Sequence, residues 1–183
     1  MTMYLHLDRM GQLKSGDIVQ PLPHPRSIGV LPYPQIFCDG FVEHLESLAK
    51  QGLSWHGVSY LVKSFQDPSR INLFLNELYL EHVRWGENIQ APSRLQSFFA
   101  WDTYEQALKF AKLNKTYPKI CEVEALGNVF KADMNLSRRG GCVDSALKYW
   151  NGEMLDNSPS YNPVFENLLE LPVRVIRVLE VNP

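Results

Sequence analysis

The sequence predicts an α+β fold with largely antiparallel strands. Strand-like segments gather towards the two ends of the chain with helical segments between them, and their order does not alternate strand with helix as a parallel βαβ sheet requires. The length of 183 residues, with 45% hydrophobic and 21% charged residues, fits one domain over 1–183 that buries a sizeable core.

Met3 to Leu7 reads as a short strand ending at Asp8-Arg9, and Met10-Gly11 turns the chain into Leu13 to Val19, which predicts an N-terminal hairpin. Pro21, Pro23, Pro25, Pro32 and Pro34 make residues 20–35 an irregular loop. A helical insert over about 41–85 follows. Its first helix, Phe41 to Lys50, spaces Phe41, Leu45 and Leu48 along one face and stops at Gly52. Val58 to Phe65 is a short apolar piece. Asp67-Pro68 then supplies an N-cap and a first-turn proline for a helix to Trp85, with Ile71, Phe74, Leu75, Leu78, Tyr79, His82 and Trp85 as its core face.

Leu95 to Ala100 reads as a strand that turns at Trp101 into a helix over Thr103 to Leu113, where Asp102 and Glu105 have capping-box spacing. Ile120 to Ala125 alternates Cys121, Val123 and Ala125 against Glu122 and Glu124, a half-buried strand that Val129 to Asp133 continues after Gly127-Asn128. Arg138-Arg139-Gly140-Gly141 is a basic loop, and Val143 to Asn151 a helix closed by Gly152. Met154 to Pro163 is a loop. Val173 to Val181, rich in β-branched residues, is the final strand.

Bulk properties exclude several functions. Eighteen basic and twenty acidic residues give a formal charge of −2, too little field for broad nucleic-acid or membrane binding. No apolar run approaches the ~20 residues that span a bilayer. Cys38, Cys121 and Cys142 lack CxxC spacing and His6, His24, His44, His56 and His82 lack HxxxH or HxH spacing, so reduced thiols, a cytoplasmic setting and no metal are expected. GxGxxG, GxxxxGK[ST] and GxSxG are also missing, which leaves a dinucleotide-fold dehydrogenase, a P-loop kinase or a serine hydrolase without support.

A spaced set of polar and aromatic residues remains. His6 and Arg9 lie on or just after the first strand, Ser93-Arg94-Leu95-Gln96-Ser97-Phe98-Phe99 runs into a helix, and Phe165-Glu166 stands just ahead of the final strand. In this order the chain resembles the ADP-ribosyltransferase fold, which has a split, mostly antiparallel sheet and lines one NAD cleft with a first-strand His or Arg, a middle-strand Ser or Tyr and a late Glu. Tyr4 to Arg9 with Leu13 to Asp17 resembles the first strand and turn of small bacterial members such as rifampin ADP-ribosyltransferases, and Phe98-Phe99-Ala100 with Ala107 and Ala111 their aromatic strand and small-residue helix. The chain is also similar to an uncharacterised bacterial and phage domain family through Ser93 to Ala111, Lys131 to Leu136 and Tyr149-Trp150.

The resemblance implies a mono-ADP-ribosyltransferase that consumes NAD as substrate, needs no metal and modifies a protein or nucleic acid. A toxin or phage-conflict effector of this kind would have an antitoxin or inhibitor as a further partner. His6 or Arg9 would hold the NAD ribose or phosphate, and Ser97 or Phe98 the middle-strand position. Breaking the nicotinamide bond develops oxocarbenium charge on the ribose, which a nearby carboxylate stabilises. Glu166 takes that role, with Glu170 as the alternative. The forked guanidinium of Arg9 or Arg94 suits pyrophosphate, and Phe98 or Trp101 offers a ring face to nicotinamide. The chain departs from the pattern at Phe98, where several relatives carry Tyr, and after His6, which Gly does not follow. A noncatalytic module that uses Arg94 and Arg138-Arg139 to hold a nucleotide or protein is the other reading. Taken singly, His6 and Phe99 are ordinary core residues, and Arg94 an ordinary ion-pair partner.

Overall fold

The computed structural model describes residues 2–22, 38–63, 67–113, 119–139 and 142–179. Most of the proline-rich loop, and Gly140-Gly141, lie outside them. Strands β1 (Met3–Asp8) and β2 (Ile18–Val19) are followed by helices α1 (Asp39–Gln51), α2 (Trp55–Gly57) and α3 (Ile71–Glu87). Next come β3 (Ser97–Ala100), α4 (Tyr104–Leu113), β4 (Lys119–Ala125), β5 (Val129–Asp133), α5 (Met134–Ser137) and α6 (Val143–Trp150). The chain closes on β6 (Phe165–Glu170) and β7 (Val173–Leu179).

The strands form two antiparallel sheets, ordered β1-β4-β7-β2 and β3-β6-β5. Among the described residues a single bridge joins them: Leu5 and Trp101 exchange two backbone hydrogen bonds of 2.8 Å each. The fold is therefore α+β, with a sheet split between β1 and β3.

The N-terminal hairpin does not form. β1 pairs with β4 and β2 with β7, because the segment between them is held elsewhere. Asp8 Oδ1 accepts from the Met10 and Gly11 amides and Asp8 Oδ2 from that of Leu13, which curls the chain into a loop. The Gly16 amide then donates to Val175 O and the Val175 amide to Asp17 O, fixing the segment on β7. Nor does β5 continue β4. It leaves for the second sheet and pairs with β6, a strand where the sequence predicts only an approach to the last one.

The helices between β2 and β3 have their own core of Phe41, Leu45, Leu48, Leu53, Leu61, Phe74, Leu78 and Leu95. Gly52 closes α1 with φ of 116°, as its position predicts. At Gly57 a Cβ would stand 2.1 Å from Leu95 O, so only glycine lets α2 meet the turn before β3. Val58 to Lys63 is a π-helical turn. The next helix opens with a 3-10 turn, Pro68–Arg70, at Asp67, whose Oδ1 accepts from the Ser69 amide. The buried face of α3 differs from the apolar one expected: Phe74 and Leu78 are buried, but so are Glu77, Glu81 and Arg84, while His82 is exposed. The cap of α4 is also one residue late. Thr103 Oγ1 accepts from the Gln106 amide and Gln106 Oε1 from the Asp102 and Thr103 amides, which leaves Asp102 and Glu105 out of the box.

Between the sheets lie Ala100, Cys121, Val123, Leu169, Val173 and Val175, with Tyr4 and Phe98 packed on them. On the other face of the second sheet, Leu80, Ala132, Tyr149, Trp150 and Leu168 pack under α3 and α6. Among the described residues no helix is long and apolar enough to cross a membrane.

Candidate functional site

Period-two alternation on β3 and β6 decides which side chains share a face. Phe98 pairs with Leu169 and Ala100 with Asn167, so these face the first sheet; Phe99 pairs with Leu168, and Glu166 lies two residues before Leu168, so these face the helices. Glu166 and Asn167, adjacent in sequence, thus point to opposite sides.

On the sheet-facing side, His6 and Phe98 stack with ring centroids 3.7 Å apart. His6 Nδ1 lies 2.8 Å from Phe99 O. A carbonyl can only accept, so Nδ1 carries the hydrogen and Nε2 is left as an acceptor. Burial lowers the pKa of His6 to about 4, and the ring is neutral at pH 7. The structure therefore brings two of the expected residues together, from β1 and β3, at the seam between the sheets.

On the helix-facing side the charged groups converge on Arg94, only 5% exposed. Arg94 Nε and Nη2 donate to the two oxygens of Glu77 at 3.0 and 3.1 Å, and Nη1 donates to Glu166 Oε1 and Tyr149 Oη, both at 2.5 Å. Tyr149 Oη in turn donates to Glu166 Oε1 at 2.9 Å. The guanidinium carbon sits 4.9 Å from the Phe99 ring centre, and His56 Nε2 is 3.1 Å from Glu77 Oε1. Burial opposes charge here, but Arg94 and His56 hold Glu77 well below the usual carboxylate range, and Glu166 with Glu77 holds the guanidinium firmly charged. Burial, with Glu166 beside it, pushes the Tyr149 phenol well up despite the nearby Arg94.

A second buried network lies one turn along α3. Arg84 grips both oxygens of Glu81 and donates to Ile89 O and Ala91 O, while Ser93 Oγ donates to Glu81 and His44 Nε2 lies 2.8 Å from it. Each of these Arg84, Glu81, Ser93 and His44 atoms is matched, as burial demands.

The other expected residues fall elsewhere. Arg9 is exposed, 5.6 Å over the Phe110 ring. Ser97 is 1% exposed and donates to Ser93 O at 2.6 Å on the helix-facing side. Trp101 packs on Phe110 at 4.7 Å, with an Nε1 that has no partner among the described residues. Glu170 is exposed and accepts from the Asn128 amide at 3.0 Å. Arg94, buried, offers no surface to a partner.

Two residues outside the expected site, Asn167 and Lys131, stand on the sheet-facing side. Asn167, 2% exposed, donates from Nδ2 to Asp102 Oδ1 at 2.9 Å, and Lys131 Nζ meets Asp102 Oδ2 at 2.6 Å. The signal for Asn167 was the alternation within Phe165-Glu166-Asn167-Leu168, legible once β6 is known to be a strand. No group of His, Cys, Asp and Glu suited to a metal occurs among the described residues.

Two antiparallel sheets that part beside a histidine–aromatic stack, with a buried arginine on the helix-facing side, make this an α+β protein. The chain belongs to the family described as protein of unknown function, DUF2441, whose model matches residues 35–181. No curated protein matches it.

Proposed function

We propose that this chain is an NAD-dependent mono-ADP-ribosyltransferase of the cytoplasm that modifies a macromolecule, as a toxin or phage-conflict effector would. One observation supports this best: His6 of β1 and Phe98 of β3 meet ring to ring where the two sheets part. In the fold that the sequence resembles, the first-strand and middle-strand residues that clasp NAD come from these two strands. A neutral His6 whose Nε2 acceptor has no partner among the described residues suits a ribose hydroxyl, and the half-buried Phe98 ring suits a flat heteroaromatic ring. The test is nicotinamide release from NAD, and transfer of labelled ADP-ribose to lysate protein or nucleic acid, by the full chain and by His6→Ala. Loss of both with His6→Ala supports the reading; no NAD binding by the unmodified chain ends it.

A noncatalytic nucleotide-binding module is favoured by a different observation. Glu166 is occupied by Arg94 and Tyr149 on the far side of the sheet from His6. Calorimetry that finds NAD bound without turnover would select this reading.

A further inference from the structure

The transferase reading needs a carboxylate on the face that carries His6 and Phe98, and Glu166 does not stand there. Four acidic side chains come into question. Glu166 is 3% exposed, turned to the helices and bound to Arg94 and Tyr149. Asp8 shares the His6 face of β1, yet its two oxygens take three amides of its own loop, and it is 5% exposed. Asp17 accepts from the Lys14 amide in the turn before β2.

Asp102 differs from all three. It follows β3 at the period-two position after Phe98 and Ala100, and its Oδ1 is bonded to Asn167, the β6 residue that pairs with Ala100. Its side chain is 31% exposed and is held from both sides by other side chains, Asn167 and Lys131, rather than by its own loop. Lys131 is fixed in turn, its Nζ 4.7 Å over the Phe165 ring. A carboxylate kept beside an ammonium, gripped at one oxygen by an amide and open to solvent, is oriented without being buried.

Resting on the transferase reading, we propose that Asp102, positioned by Asn167 and Lys131, is the carboxylate that faces the ribose in this chain. The C–N bond between ribose and nicotinamide breaks with its electron pair leaving on nicotinamide. The carboxylate balances the oxocarbenium charge that develops, and a lone pair of the acceptor forms the new bond to the ribose carbon. The acceptor's proton passes to Asp102 and then to water. Asn167 and Lys131 are positioning residues.

The experiment uses the full chain, NAD and water as acceptor, reading nicotinamide release, with NAD binding followed by calorimetry. Asp102→Asn is expected to lower kcat by roughly 100-fold or more with NAD affinity little changed. Asp102→Glu should recover part of the loss, and Glu166→Gln should turn over as the unmodified chain does once corrected for the folded fraction. Turnover undiminished in Asp102→Asn, or lost in folded, NAD-binding Glu166→Gln, overturns the assignment and leaves the transferase reading standing. NAD bound by the unmodified chain but never cleaved overturns both.

Discussion

Arg94 Nη1 lies 2.5 Å from Glu166 Oε1, and this pair joins the turn before β3 to the start of β6. It is the centre of a buried cluster that also ties in α3 through Glu77 and α6 through Tyr149. Arg94→Leu leaves two buried carboxylates without their cation and should cost about 3–5 kcal/mol. Glu166→Gln retains an acceptor for both partners and should cost about 1–3 kcal/mol. Urea unfolding followed by circular dichroism checks the order; equal effects would show that the pair carries no special weight.

Acid should weaken the fold before the carboxylates titrate. His6 is neutral in the folded chain down to about pH 4 but takes a proton near 6.5 when unfolded. Between those values the unfolded state binds the extra proton, so stability present above pH 6.5 is lost as pH falls, by up to about 3 kcal/mol at pH 4. His6→Phe should flatten this part of the curve, measured as melting temperature against pH. An unchanged slope would place the proton elsewhere.

The thiols should separate by reactivity. Cys142 is exposed, and the Ser145 amide and hydroxyl at the start of α6 lower its pKa. Cys121 is wholly buried and, chiefly through burial, pushed up to about 11. Iodoacetamide at pH 7.5 should therefore alkylate Cys142 well before Cys121, by peptide mass spectrometry, with Cys121 modified only on unfolding.

Gly57→Ala should be among the costliest single-methyl changes. The added carbon would stand 2.1 Å from Leu95 O, a backbone atom that cannot move without shifting the turn that bears Arg94. A loss of about 3 kcal/mol or more is expected from overpacking against backbone. At Gly86, where the same carbon meets nothing within 4 Å, alanine should be tolerated. Thermal melts of the two variants compare them directly.

What the sequence disclosed were the local signals. Gly52, Asp67-Pro68, Gly152 and the alternation around Cys121 and Val123 act within a few residues, and α1, α3, α6 and β4 lie where these place them. Partners distant in sequence were hidden. Nothing local marks Glu77, Glu81 and Arg84 for burial, because His56, Arg94, His44 and Ser93, which make it tolerable, come from other segments. β6 carries no local strand signal, since Phe165-Glu166-Asn167-Leu168-Leu169-Glu170 has no β-branched residue, and its strand form comes from pairing on both sides, with β3 and β5. The same lack of signal hides which of Glu166 and Asn167 shares a face with Phe98. The sequence offers His6 and Phe98 as separate candidates, and the β1–β3 bridge makes them neighbours.

The register of β1 has a consequence for synthesis on the ribosome. Met3 lies opposite Glu124 and Asp8 opposite Lys119, so the first strand to emerge must wait for more than a hundred further residues before its partner exists. Loop closure of that length is slow, and until it occurs Leu5 and Leu7 have no sheet to enter. The helical segment of α1 to α3, with its own core, can condense meanwhile. The seam that seats His6 against Phe98 is then among the last parts of the molecule to come into being.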